Sequence, residues 1–232
     1  MSGRGEADGR QPDTEAEAID RQTLGEKHSV LAQWPSKGQL PPATFVSPPH
    51  PSVLSSEAFE SRLNYRFQTR SGPGGQHRNR VATGAYVTDQ PTGAIAEATE
   101  QRSQARNRRE AIRRLRIRLA LGYRTSSMIQ PASRRDDGIE RTAEMADDIF
   151  LESDLHRRWT NSKRLPGLRS GDHAGVLALI LNDLYAAGGQ PSLVASHWHT
   201  STGSVVRCLK TVPEAFRLIN HWRSHFGRGP LH

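Results

Sequence analysis

The residues most open to chemistry lie in the segment Ser71-Gly72-Pro73-Gly74-Gly75-Gln76-His77-Arg78-Asn79. Gly74 and Gly75 carry no side chains, so their backbone can approach a partner closely and adopt positive φ. Gln76 adds a carboxamide that both donates and accepts hydrogen bonds, and His77 beside it has the form of a general base. The tripeptide Gly-Gly-Gln is weak evidence alone, because it recurs at Gly188-Gly189-Gln190. Context separates the copies. The first follows an alternating segment and precedes an arginine-rich one; the second closes an apolar helical run, where glycines commonly stop a helix. The signatures of other hydrolytic and phosphate-binding sites are missing: there is no Gly-x-Ser-x-Gly elbow, no Walker loop and no His-Glu-x-x-His. The single cysteine, Cys208, excludes an internal disulfide and a thiolate zinc site and reads as a small buried hydrophobe. His197, His199, His221 and His225 invite a metal reading, but no cysteine or carboxylate completes a ligand set, so no metal and no other cofactor is expected.

Such a loop needs a frame. Residues 63–69 alternate, with Leu63, Tyr65 and Phe67 on one face, which predicts a strand leading into the loop. A short helix over 56–63, with Phe59 and Leu63 inward, precedes it. Residues 85–89 and 94–99 are two further strand candidates, joined into a hairpin by the tight turn Pro91-Thr92-Gly93. Ser103 is placed as the N-cap of a long helix running to Leu121 and closed by Gly122. Ala105, Ile112, Leu115 and Leu119 form its buried stripe, and Arg106, Arg109, Arg113 and Arg116 occupy the other faces. The predicted fold class is α+β: a small mixed sheet bearing the loop and a long packing helix, then a small all-α C-terminal domain.

Composition divides the chain further. Residues 1–52 are rich in Pro, Gly, Ser, Gln and charge without apolar period, which predicts a disordered arm. Residues 53–124 then form the loop-bearing domain, and 125–170 a linker with a helix near 142–158. Residues 171–232 form the helical domain. There the apolar run from Val176 to Leu184 stops at Gly188-Gly189, and shorter helices are expected near 192–198, 203–210 and 213–225. Residues 192–198, a turn over 199–203, and 204–210 with Val205, Val206 and Leu209 inward look like a helix-turn-helix unit.

The net charge is +8, and it is concentrated. Residues 1–50 hold seven acids and five Lys/Arg, whereas residues 62–124 hold fourteen arginines, no lysine and four acids, a net of +10. An arginine field of this kind points to a polyanion, most commonly nucleic acid. No apolar run is long enough to cross a membrane. The N-terminus lacks the apolar stretch of a secretory signal, and Glu6, Asp8, Asp13, Glu15 and Glu17 argue against a mitochondrial presequence, so a cytoplasmic location without a membrane partner is expected.

Taken together, residues 71–79, Thr83, Pro91-Thr92-Gly93, Glu97, Arg102-Ser103-Gln104 and Asn107 resemble the catalytic domain of the bacterial-type class I peptide chain release factors and their codon-independent relatives. The resemblance covers about residues 55–122. It implies attack of water on the ester between a peptide and tRNA, within the peptidyl-transferase centre of the large ribosomal subunit. The partners it implies are therefore ribosomal RNA and peptidyl-tRNA. Such an ester is labile, so a placed water and a stabilised oxyanion suffice without a protein nucleophile. On this resemblance the site residues are Gly74, Gly75 and Gln76. The Gln76 backbone N–H helps stabilise the transition state, and its side-chain amide helps admit water and exclude larger nucleophiles. The resemblance also implies methylation of the Gln76 amide nitrogen by a glutamine methyltransferase. It gives His77 no role as a base. Expected RNA contacts are Ser71, His77, Arg78, Asn79, Arg80, Arg102, Ser103, Gln104, Arg106, Asn107 and Arg109. Arg78 and Arg80 stand where the family often has Val and Lys.

Complete release factors also carry a codon-reading domain, and no codon-reading tripeptide is recognisable in this sequence. The expected function is therefore codon-independent release or ribosome rescue. The C-terminus, Phe226-Gly227-Arg228-Gly229-Pro230-Leu231-His232, is unlike the lysine-rich tail of known rescue relatives. The alternative from a different class is a non-catalytic RNA- or DNA-binding protein that uses the arginine helix and the helix-turn-helix-like unit.

Overall fold

The computed structural model describes residues 43–69, 82–127, 129 and 143–232, with the backbone alone for 143–150. These residues lie within one compact unit, Trp34–His232. In chain order the first elements are β1 (Thr44–Phe45), a 3-10 turn (Pro51–Val53), α1 (Ser56–Glu60), β2 (Leu63–Gln68), β3 (Gly84–Asp89), β4 (Ile95–Ala98), α2 (Gln104–Gly122) and β5 (Tyr123–Arg124). They are followed by α3 (Ala143–Trp159), α4 (His173–Ala186), α5 (Pro191–His197), α6 (Thr202–Lys210) and α7 (Pro213–His225). The fold is α+β. Strands β2, β3 and β4 make an antiparallel sheet in that order, and β1 pairs in parallel with β5 as a separate two-residue ladder.

Helix α2 lies across β3 and β4. Ala85, Val87 and Ala98 on the strands, and Ala111, Leu115 and Leu119 on the helix, are fully buried. The alanines let helix and sheet approach closely, and each buried leucine contributes about 2 kcal/mol. The expected stripe is corrected at one position. Ala105 is exposed, and the buried row runs Asn107, Ala111, Leu115, Leu119. Ala105 sits two residues, about 200°, round the helix from Asn107. Phe67, placed on one face with Leu63 and Tyr65, stays 37% exposed and stacks on Tyr65, because α2 covers β3 and β4 rather than β2.

Two arginines of α2 fasten the outer strand. Arg114 donates to the carbonyl of Glu97 at 2.8 Å and Arg118 to that of Ile95 at 2.7 Å. Four residues of helix rise about 6 Å and two residues of strand about 6.7 Å, so the spacings match. The hairpin between β3 and β4 is pinned by Asp89, fully buried, which accepts a bidentate pair from Arg62 (2.9 and 3.0 Å) and a hydrogen bond from the Thr92 hydroxyl. Gly93 adopts φ 69°, the left-handed conformation that favours glycine in this turn.

Helix α4 is buried from His173 through Leu184, as an all-round apolar helix must be. It packs on α2, α3 and the 3-10 turn. Gly175 permits that approach: a Cβ there would stand 2.7 Å from Leu155 Cδ2 and 3.1 Å from the Ser52 carbonyl. Trp198, also fully buried, donates to Asp183 at 2.7 Å and ties α5 to α4. In α6 the inward residues are Ser204, Val205, Cys208 and Leu209, with Val206 half-buried rather than inward. Burial pushes the Cys208 thiol up to about 12, so it behaves as a packing residue.

Two expected boundaries move. The arm read as disordered to residue 52 is structured from residue 43. There the fully buried His50 accepts from the Ser52 N–H at 3.0 Å, lies 3.1 Å from the Tyr123 carbonyl, and donates its own backbone N–H to Glu152 at 2.6 Å. Burial, and secondarily Arg124, lowers His50 to about 3 and keeps it neutral. The expected linker over 125–170 likewise contributes to the core: Glu152 and Thr125 are buried and bonded at 2.9 Å, and Asn182 of α4 donates to Thr125 at 2.7 Å.

Candidate functional site

The loop over 70–81 joins two strands whose ends are paired, Gln68 opposite Gly84. Gly74, Gly75, Gln76, Ser71, His77, Arg78, Asn79 and Arg80 lie outside the described residues. The stem on which they stand is described. A Cβ on Gly84 would come within 3.1 Å of both the Gln68 carbonyl and Thr99 Cγ2, so any larger residue would push the two strand ends apart by a few tenths of an ångström.

The start of α2 holds the returning chain. Asn107 is fully buried, and each end of its amide is in use. Nδ2 donates to the carbonyls of Thr83 (2.7 Å) and Gln101 (2.9 Å), and Oδ1 accepts from the Gln101 N–H (2.9 Å). Gln104 Nε2 donates to the Ala82 carbonyl at 2.8 Å. Ser103 caps the helix, its hydroxyl accepting from the Arg106 N–H at 3.4 Å. Among the expected RNA contacts, Asn107 is therefore corrected to a positioning residue, since it exposes nothing to a ligand. Ser103 and Gln104 are exposed, yet both also hold backbone.

The arginines divide into two groups. Arg108 pairs with Glu60 and lies over the Tyr65 ring at 4.6 Å. Arg113 and Arg114 pair with Glu110 at 2.6 and 3.0 Å. Arg116 lies over the Phe59 ring at 4.3 Å and donates to the carbonyls of Leu54 (2.9 Å) and Ser55 (3.0 Å). Hydrogen bonding from Arg113 holds the Glu110 carboxyl below its ordinary range. These cations are committed to the fold. Arg66, Arg102, Arg106 and Arg109 are exposed and have no ion-pair partner among the described residues. Arg66 leans over the Tyr86 ring, Arg102 directly precedes the Ser103 cap, and Arg106 and Arg109 lie in the first two turns of α2, the end of the helix that holds the loop stem. The arginine count thus overstated the open field, whose open part lies on β2 and around the start of α2.

The second Gly-Gly-Gln does something else. Gly188 and Gly189 take φ 58° and 72° and end α4. Their carbonyls accept from Arg228 (2.9 Å) and Arg223 (2.7 Å). Among the described residues no group of three or more His, Cys, Asp or Glu is arranged to hold a metal ion. His197 instead stacks on His156 at 4.6 Å. Among the described residues no helix is long and apolar enough to cross a membrane.

With this geometry in view, residues 55–158 match the family model described as the RF-1 domain. This segment is similar to the class I peptide chain release factors. Similar relatives include peptide chain release factor 1 of Geobacter metallireducens, 30% identical over 112 residues (46% of this chain, 32% of the relative). Peptide chain release factor 1 of Dictyoglomus turgidum is 28% identical over 130 residues, 55% of this chain and 35% of the relative. The chloroplastic release factor PrfB1 of Arabidopsis thaliana is 36% identical over 104 residues, 41% of this chain and 23% of the relative. The chain thus spans about a third or less of the length of these curated relatives. The release-factor domain contains the loop, the sheet, the whole of α2 and most of α3; helices α4 to α7 fall outside it. Sequence reasoning missed Phe67 as an open aromatic face on β2, because alternation groups it with Leu63 and Tyr65 without saying which strands the helix covers.

Proposed function

We propose that this protein hydrolyses the ester of peptidyl-tRNA on the ribosome, with Gly74, Gly75 and Gln76 as the residues that meet the ester. The observation that carries this reading is the anchored stem: paired strand ends at Gln68 and Gly84, with Asn107 and Gln104 gripping the carbonyls of Thr83 and Ala82. A loop made of glycines has little stiffness of its own, so a rigid base is what allows it to present one geometry. The ester oxygen that becomes anionic is stabilised by the Gln76 backbone N–H, and the Gln76 amide orders the attacking water. No cofactor takes part. Arg66, Arg102, Arg106 and Arg109 neutralise ribosomal RNA phosphates around the loop, and Phe67 offers a face on which a base can stack.

Release is codon-independent, because no codon-reading tripeptide is recognisable and the release-factor match is confined to 55–158. Gln76 is a substrate for a glutamine methyltransferase, and the protein acts in the cytoplasm. The test of codon independence is peptide release from ribosomes carrying an empty A site, a sense codon or a stop codon. Release is expected to be at least as fast with the empty A site as with the stop codon. Release confined to the stop codon would overturn this part of the proposal.

A further inference from the structure

We propose that the cleft between α2 and residues 168–174 binds a single strand of RNA, as a second nucleic-acid site that continues through Arg109 from the arginines at the loop-bearing stem. The cleft has a volume of about 760 Å³. One wall is the α2 face bearing Arg109, Ile112, Arg113 and Ile117, and the other is the segment of Leu168 and Arg169. Residues 168–174 lie beyond the release-factor match, so this wall belongs to the part of the chain that the family model does not cover.

Charge decides the occupant. Four arginines line the cleft against two glutamates. Both glutamates are already held, Glu60 by Arg108 and Glu110 by Arg113 and Arg114. Arg109 and Arg169 are exposed and have no partner among the described residues. His173, lowered to about 4 by burial and secondarily by Arg113, stays neutral and contributes no opposing or added charge. The cleft therefore offers free guanidinium groups at its edge and an aliphatic interior, with Leu168 still 40% exposed. A single strand supplies the complement to both, phosphates for the guanidiniums and flat, weakly polar base faces for the aliphatic wall. A duplex keeps its bases stacked inside and would meet only the rim.

Continuity fixes the path. Arg106, Arg109 and Arg113 recur at three- and four-residue spacing, which places them on one face of α2 about 4.5 and 6 Å apart along its axis. The row begins at the loop stem with Arg106 and Arg109, both open, and ends in the cleft at Arg113, which Glu110 holds, so a strand that follows the two open arginines is led to the cleft edge and Arg169.

The test measures binding of a fluorescent oligouridine to the full chain across a salt series, with no ribosome and no ester present, so its outcome is independent of the hydrolysis reading. Arg169→Ala and Arg109→Ala, both at exposed positions, are each expected to weaken binding by about threefold to tenfold. Each should also lower the slope of log affinity against log salt by about 0.7. Gly171→Leu tests the cleft itself: a Cβ on Gly171 meets nothing within 4 Å, so an aliphatic side chain is added without a backbone clash, a change of charge or a new stacking face. It is expected to weaken oligouridine binding as much as the arginine variants. Wild-type affinity in Arg169→Ala and Gly171→Leu would overturn the proposal. So would an oligoglutamate peptide that displaces the RNA at equal charge concentration, since the cleft would then be an acidic-peptide site.

Discussion

Gln76→Pro is expected to lower the rate of peptide release from ribosomal peptidyl-tRNA by about a hundredfold to a thousandfold. Proline has no backbone N–H, and losing one donor to a developing oxyanion raises the barrier by about 2.7–4 kcal/mol. Gln76→Ala separates the two functions proposed for this residue. It keeps the N–H and removes only the carboxamide, so it should retain more release than the proline variant. Without the amide, a small alcohol added to the reaction should compete with water for the ester. Single-turnover release, with and without the alcohol, reads both effects. A proline variant that releases peptide at the wild-type rate would remove the backbone N–H from the mechanism. An alanine variant that is as selective for water as the wild type would remove the side chain from nucleophile selection.

Asn107→Ala is expected to cost about 3 kcal/mol of stability, because it strips the Thr83 carbonyl, the Gln101 carbonyl and the Gln101 N–H of a partner at once. Its effect on release should exceed what unfolding explains. With the Thr83 carbonyl unheld, the loop loses its fixed base, so kcat should fall by tenfold or more while KM changes little. Leu115→Ala is the control. It lies in the same fully buried row of α2 and should cost about 2–5 kcal/mol, yet it touches neither end of the loop. Denaturant unfolding gives the two stabilities, and release measured where both variants are folded gives kcat. Equal kcat for the two would reduce Asn107 to a core residue.

Local signals were legible in the sequence and long-range ones were not. The strands were readable because alternation is written in neighbouring residues, and the start of α2 because Ser103 caps it from one residue away. The stop at Gly188-Gly189 was readable for the same reason. Asn107 was read as an RNA contact because a polar residue on an arginine-rich helix looks solvated, and no nearby residue reports that Thr83 folds back onto it. Residues 43–52 were read as disordered because their order comes from partners far along the chain: the His50 N–H is satisfied by Glu152, 102 residues away. Charge counting found the arginine segment but could not divide it. Whether Arg114 meets RNA or the Glu97 carbonyl depends on where β4 lies, and that is set by packing. The cleft was illegible for the same reason, since its second wall is brought to α2 by the burial of α4.

The most direct measurement is release of labelled peptide from purified peptidyl-tRNA by the full chain, with ribosomes present and with ribosomes omitted. Ester cleavage is expected on the ribosome and none from free peptidyl-tRNA, because on the proposed mechanism the protein supplies a loop and a donor while RNA supplies the remainder of the site. Cleavage at the same rate without ribosomes, or no cleavage in either case, would contradict it.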